Sequence, residues 1–549
     1  MKARRKTQDG ELLVESSRTK RASGELELQE WLDISWFYPE GFTREQLVES
    51  DNALVVLGKT LVYKFIKCPA KRGAENSFLK RWQLSCREIV RNRETSPDLY
   101  LGLRLLRWVD GQPMWFTELC SGELLADKPP ESADEVAIVM RRIPGRNRLL
   151  NVLDDDRGLS VNQLADIARL LTSFHLRRRA KGIKSFSVTP ESLLDSYRVQ
   201  TLGPMRVLEQ HFGGARPECV MLRELKNYFN RKYLEFAALF SSRAEQGMVI
   251  DLHGNLSVSS ICLGPIEVEG QRISFVSRPT CEEQLLLGDV LIDLSRIVVD
   301  LELRGQSEYA LRLEDEYFSL NEQAYDRDIY NFSLVSAALQ LAVSRLAEFE
   351  SGKYESTPPA SRYLAFALRV ALNLRQPFIL AVGGSSEASR SELVSQLSEI
   401  SGASALRIDS VATELPGYSP PDDLQFLRLM TICRRKLASG RSVIVDWPFN
   451  RLEERLKIVH IARRFSLPYM LVKLKLSAKE KESRAYSVVP QEQVSSVGLA
   501  SRRLWSSASD SWSDSFAHAQ GVRYEVVDSE QCKESLPMNL LKKLGKKDW

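Results

Sequence analysis

Apolar positions repeat along this chain with three rhythms. In N-A-L-V-V-L-G-K-T-L-V-Y-K-F-I-K, residues 52–67, two apolar blocks of strand length flank Gly58-Lys59, which predicts two strands around a turn. Lys64 stands inside the second. Y-L-G-L-R-L-L within 99–119 and E-V-A-I-V-M-R-R-I within 135–143 predict further strands, and the basic stretch 77–94, which carries Glu88, predicts a helix. A small β-rich lobe with one helix follows from these. From about residue 160 the spacing becomes helical: N-Q-L-A-D-I-A-R-L-L-T-S-F-H keeps one apolar face, and 220–246 forms another long helix. M-V-I-D-L-H-G-N-L comes next, then a hairpin (I-C-L-G-P-I-E-V-E-G-Q-R-I-S-F-V-S) and helices to about 350. Residues 351–360, S-G-K-Y-E-S-T-P-P-A, have a linker's composition. After a helix over 361–374, strands at 378–382, 404–408, 442–446 and 468–474 alternate with helices at 391–400, 423–438 and 451–465. That alternation predicts a parallel, doubly wound sheet.

At 549 residues the chain exceeds one hydrophobic core. The expected division is a disordered basic tail over 1–25, a first domain over 26–350 with a short helix at 26–33, a linker and connecting helix over 351–375, and a second domain over 376–549. An apolar content of 43% with 27% charged residues is that of a soluble globular protein. The net charge of +4 gives no reason to expect a nucleic-acid partner. Eight scattered cysteines without a C-x-x-C pair argue against a zinc site and a disulfide framework, and fit a cytoplasmic protein. No apolar run approaches the ~20 residues that cross a membrane, so no membrane association is expected.

The stretch richest in chemical signal is Q-P-F-I-L-A-V-G-G-S-S-E-A-S-R-S-E-L, residues 376–393. Strand, glycine turn and helix are the local architecture of a phosphate-binding loop, which needs G-x-x-x-x-G-K-[ST]. From Gly384, after Gly383, the frame reads G-S-S-E-A-S-R-S. Ser391 keeps the hydroxyl that would ligate a metal. Ser389 replaces the second glycine with a Cβ-bearing residue, Arg390 replaces the lysine with a longer planar cation, and Glu387 adds an anion where phosphate should sit.

Taken together, the chain resembles a bacterial two-domain family, an aminoglycoside-phosphotransferase-like kinase fused to a P-loop ATP-binding domain, over roughly residues 35–530. L-V-Y-K-F-I-K resembles its nucleotide-lysine strand, P-D-L-Y-L-G at 97–102 its lobe turn, V-M-R-R-I-P at 139–144 its hinge strand, L-L-T-S-F-H at 170–175 its L-A-x-F-H helix, G-D-V-L-I-D-L at 288–294 its I-D-V-x-x-D-L segment, and G-R-S-V-I-V-D at 440–446 the P-loop domain's second acidic strand. The resemblance implies a bilobal protein-kinase-like α+β domain followed by an α/β P-loop domain, with ATP and Mg²⁺ as cofactors and a small molecule or protein as partner. It implies Lys64 on the α and β phosphates, braced by Glu88. A solvent-facing strand lysine is the alternative for Lys64.

The family's H-G-D-x-H-x-x-N loop corresponds here to H-G-N-L-S-V-S-S. In the ungapped register His253 and Gly254 keep their places, Asn255 replaces the proton-accepting aspartate and Ser260 replaces the metal asparagine. A shortened register would make Asp251 the base and Asn255 the metal ligand. The second metal aspartate falls on Ser277, with no carboxylate between Glu269 and Glu282. The resemblance implies that His253 orders the loop by hydrogen bonding, and Asp289 and Asp293 read as bracing and capping acids. In the P-loop domain the substrate segment becomes I-D-S-V-A, which keeps Asp409 and puts Ala412 at the arginine position. Asp446 matches the acid that holds Mg²⁺ through water, or caps the next helix. Arg484, Arg502 and Arg503 are the lid candidates. Correlated loss of these groups points to a pseudokinase with a binding or regulatory role. An active small-molecule phosphotransferase and a nucleotide-binding sensor without turnover are the alternatives.

Overall fold

The computed structural model describes residues 44–49, 53–67, 78–110, 112–115, 133–155, 158–181, 190–214, 216–264, 273–276, 287–350, 358–384, 386–407, 422–475, 523–528 and 535–546. The chain divides into two compact units, Met1–Gly158 with Ser259–Glu282, and Leu159–Val258 with Glu283–Trp549.

The first unit holds β1 (Arg44–Glu49), β2 (Ala53–Gly58), β3 (Leu61–Ile66), β4 (Tyr100–Val109), β5 (Gln112–Trp115) and β6 (Glu135–Arg141). Among the described residues they form one antiparallel sheet in the order β1-β2-β3-β6-β4-β5. Period-two alternation sorts the side chains. Tyr63, Phe65, Ala137 and Val139 share one core with Leu54 and Val56. Ile66, Val136 and Ile138 share another with Trp82 and Ile89 of helix Phe78–Arg93. Each large apolar side chain buried in this way contributes about 1.5–3 kcal/mol. The sheet with its helix is the small β-rich lobe expected of this region. β7 (Val249–Asp251) belongs to the second unit, whereas β8 (Ile261–Leu263) and β9 (Ile273–Phe275) form an antiparallel hairpin of the first. The Thr95 and Ser96 hydroxyls donate to the Phe275 carbonyl at 3.0 and 2.8 Å, which fastens the hairpin after the helix.

The second unit begins helical, with Val161–Lys181, Pro190–His211, Pro217–Glu245, Leu291–Leu303, Ser307–Leu320 and Arg327–Glu350 around β7 and its antiparallel partner β10 (Leu287–Asp289). Helix Leu291–Leu303 is buried from Leu291 to Leu301, Asp293 and Asp300 included. Helix Ala360–Ala371 leads into β11 (Ile379–Gly384). β12 (Ser404–Leu406), β13 (Val443–Asp446), β14 (Tyr469–Lys475) and β15 (Tyr524–Asp528) complete a parallel sheet in the order β12-β13-β11-β14-β15. Ile379 and Ala381 pack with Val443, Val445 and helices Asp422–Ala438 and Leu452–Arg464, while the alternate residues Leu380 and Val382 are equally buried towards the opposite face. Burial on both faces is why this strand reads as an unbroken apolar run. Among the described residues, no helix is long and apolar enough to cross a membrane.

The alternation expected after residue 376 appears with small shifts, except at one point. The helix expected from 391 begins at Glu387. Ser386 caps it by accepting the Ser389 N–H, which lets the backbone wind up four residues early. The tail over 1–25, the helix at 26–33, Ser277, Asp409, Ala412, Arg484, Arg502 and Arg503 lie outside the described residues.

Candidate functional site

In the first unit, alternation along β3 turns Lys64 to the face opposite Tyr63 and Phe65, towards helix Phe78–Arg93. Glu88 on that helix is buried, and the Lys64 ammonium donates to both its carboxylate oxygens at 2.7 and 2.9 Å. Both side chains line a cavity of about 520 Å³ together with Ala53, Val55, Val62, Met140 and Val276. Arg142, where β6 ends, donates to the Gly58 carbonyl at 2.6 Å and ties down the β2–β3 turn. A cleft lined by apolar residues, by Lys64 braced on Glu88 and by Arg141, Arg142 and Arg148 suits a flat ring that carries an anionic group.

In the second unit, the segment after β7 is held by three side chains of helix Leu291–Leu303. Asp293 accepts the His253 and Gly254 N–H groups at 2.8 and 2.9 Å. Arg296 donates to the Leu256 carbonyl at 3.1 Å and approaches Asn255 Oδ1 at 3.5 Å. Asp300 accepts the Val258 N–H at 3.0 Å. Behind them, His175 Nε2 lies 3.5 Å from Asp293, and His175 Nδ1 is 2.8 Å from the Tyr317 hydroxyl. Burial alone pushes the Asp293 carboxyl up. The adjacent His175 imidazole, with help from His253 and the Gly254 N–H, outweighs it and holds the carboxyl below its ordinary value. Asp251 ends β7 with its carboxylate 3.4 Å from the Arg178 guanidinium. Asp289 is clamped by Arg243 and accepts the Leu291 N–H at 3.0 Å. Ser260, in the first unit, gives its backbone carbonyl to the Val276 N–H at 2.9 Å just before β8.

Around the glycine turn, both glycines are strand residues: Gly383 pairs with Lys473 and Gly384 with Leu474. Gly384 has φ +134°, and a Cβ there would lie 2.5 Å from the Leu474 carbonyl oxygen. The sheet therefore requires this glycine independently of any ligand. Gly384→Ala is expected to cost this sheet about 2–4 kcal/mol, read as a lowered urea midpoint, by the mechanisms of strain and forced strand separation. Beyond it, Ser386 Oγ meets Ser389 Oγ at 2.9 Å and its carbonyl accepts the Arg390 N–H at 3.1 Å. Amides that a phosphate loop leaves for anions are spent on a capped helix turn. Glu387 is exposed in the first turn of that helix, where its charge suits the helix dipole. Arg390 turns inward. Its Nε donates to Asp446 Oδ1 at 2.9 Å and its Nη1 to the Gly384 carbonyl at 2.6 Å. Ser391 Oγ donates to the other Asp446 oxygen at 2.6 Å. Arg390 and Asp446 are both 4% exposed, so the cation neutralises the acid inside the protein.

Comparison with known proteins adds likeness without assignment. No family model matches the chain, and no curated protein does. Among solved structures, a choline/ethanolamine kinase family protein from Mesorhizobium loti is 13% identical, covering 63% of this chain and 94% of that one at a TM-score of 0.31. An ADP-bound aminoglycoside phosphotransferase, APH(2'')-Ib, is 12% identical over 60% of this chain and 95% of its own, with a TM-score of 0.29. A gluconokinase from Sinorhizobium meliloti is 18% identical over 31% and 89%, with a TM-score of 0.20. At these identities and scores the likenesses settle neither family nor activity.

The residues can be tested for Mg²⁺, which demands oxygens that face a site of octahedral shape. Asp446 is already met by a guanidinium and a hydroxyl, Ser391 is that hydroxyl's owner, and Asn255 Oδ1 faces the Arg296 guanidinium. These residues do not fit the ion. Among the described residues, no three His, Cys, Asp or Glu side chains cluster as metal ligands. Sequence reasoning missed Arg178, Arg296 and Asp300. The signal was present in L-I-D-L-S-R-I-V-V-D-L, where three charges interrupt an apolar helix and each must find a buried partner.

Proposed function

We propose that this chain is a degraded kinase-like protein that binds a nucleotide in its first unit and performs little or no phosphoryl transfer. It acts by binding or regulation. The observation that carries this reading is the Arg390–Asp446 pair, because the cation that should meet triphosphate is consumed by the acid that should meet magnesium. Phosphoryl transfer at the glycine turn would depend on those charges, so their mutual neutralisation removes most of its acceleration there. At the other candidate site Asn255, which faces Arg296, stands where the proton-accepting aspartate is expected. In the first unit Lys64 and Glu88 remain paired beside an apolar cavity, and they would hold a nucleotide's phosphates and ring there. An ATP-type ligand supplies phosphates for Lys64, while the surrounding apolar residues exclude water from its base.

The test is a melting series with ATP, with and without Mg²⁺, alongside a turnover assay. ATP at about 100 times its Kd adds ~2.7 kcal/mol, so the first transition should rise by several degrees. The rise should not need Mg²⁺, should vanish in Lys64→Ala, and should come without ADP release. Magnesium-dependent ADP formation that disappears in Asp251→Ala would establish the active phosphotransferase instead. No rise at any ATP concentration would sink the nucleotide-binding reading.

A further inference from the structure

One helix of the second unit joins the segment after β7 to the parallel-sheet half. Asp293, Arg296 and Asp300 of helix Leu291–Leu303 hold the backbone of residues 253–258. The far end of the same helix holds the approach to β11. Asp300 Oδ2 accepts the Val258 N–H, while its Oδ1 faces the Tyr363 hydroxyl at 3.4 Å, Arg304 at 3.0 Å and Arg345 at 3.5 Å. Tyr363 lies on helix Ala360–Ala371 and is fully buried, as is Asp300. Two residues further along, Glu302 takes Arg375 through Nε at 3.0 Å and Nη2 at 2.5 Å. Arg375 also binds Glu314 of helix Ser307–Leu320, whose carboxylate accepts the Tyr330 hydroxyl at 2.7 Å. Arg375 stands four residues before Ile379, the first residue of β11.

We propose that the helix and turn leading into the parallel sheet set the position of the 253–258 segment through Tyr363 and Arg375, with Asp300 and Glu302 as the junction. The physical reason is the full burial of Asp300. A carboxylate without solvent keeps its charge only while all its donors stay in place. Asp300 cannot follow Tyr363 without loosening Val258, because one carboxylate serves both. The coupling from Tyr363 runs directly through Asp300, and that from Arg375 runs through the rigid helix Leu291–Leu303, which carries both Glu302 and Asp300. It gives the connection into the parallel sheet a role that needs no nucleotide: it holds the 253–258 segment in one place. This inference stands apart from nucleotide binding in the first unit, and its readout is different.

The experiment is hydrogen exchange on the full chain, following amides 253–258 and, as a reporter of the sheet, those of β13. In Arg375→Met the 253–258 amides should exchange about tenfold faster or more, and in Tyr363→Phe several-fold faster, while β13 stays protected. Arg451→Ala removes an exposed ion pair with Asp423 in the same half and should leave 253–258 unchanged. Unchanged exchange at 253–258 in both Tyr363→Phe and Arg375→Met overturns the proposal. So does protection that survives in 253–258 when Arg375→Met has exposed β13. If Arg375→Met unfolds the sheet and the segment loosens with it, Tyr363→Phe must still loosen the segment with β13 protected, or the proposal fails.

Discussion

Arg390→Met should destabilise the parallel-sheet half of the second unit by about 3–5 kcal/mol, the cost of leaving one member of a buried ion pair alone. Asp446 would keep the Ser391 hydrogen bond and lose the guanidinium that neutralises it. The Gly384 carbonyl would lose its donor at the same time, at the point where β11 turns into helix Glu387–Ser401. Urea unfolding followed by exchange at β13 measures the loss. Pairing the change with Asp446→Asn should recover much of it, since removing both charges leaves no uncompensated ion. Ser391→Ala should cost only about 1 kcal/mol, the worth of one hydrogen bond. A phosphate-binding arginine would behave differently: its removal would weaken nucleotide binding and leave stability nearly unchanged. That second pattern would refute the closed-site reading at its base.

Asp293→Ala should cost the second unit about 3 kcal/mol, because a buried and a part-buried N–H group lose their shared acceptor and a buried imidazole loses the carboxylate 3.5 Å away. The residues affected are His253, Gly254 and His175. The same carboxylate gives a pH signature. Its folded value lies below the ordinary 3.8, so the folded protein binds this proton more weakly than the unfolded chain does. The stability it contributes is complete above the ordinary value and drains as pH falls through the lower folded one. Asp293→Asn cannot titrate and should lose less stability than the wild type between neutral and strongly acid solution. Urea midpoints at about pH 6 and pH 3 for both proteins test this. A parallel loss in the two would show that Asp293 is not held ionised by its partners.

Much of this protein was legible in its residues. The pairing of β2 with β3, the helix that carries Glu88, and the alternation of strand and helix after residue 376 follow from periods of two and 3.6 in apolar positions, because burial on one face or two leaves that mark directly in the sequence. The replaced lysine and glycine at Arg390 and Ser389 were visible as departures from a spacing that phosphate chemistry fixes. What those residues do instead was not visible. A sequence can show that Arg390 carries a charge, but only the packing of β11 against β13 decides that Asp446 lies within its reach. It can show Gly384, but only the distance to Leu474 across the sheet reveals that a neighbouring strand requires it. The same holds for Asp300, whose partners Val258, Tyr363 and Arg345 come from three distant stretches of chain. Periodicity is local and survives in one dimension. The pairing of buried charges is set by which surfaces meet, and that is determined only when the chain has folded.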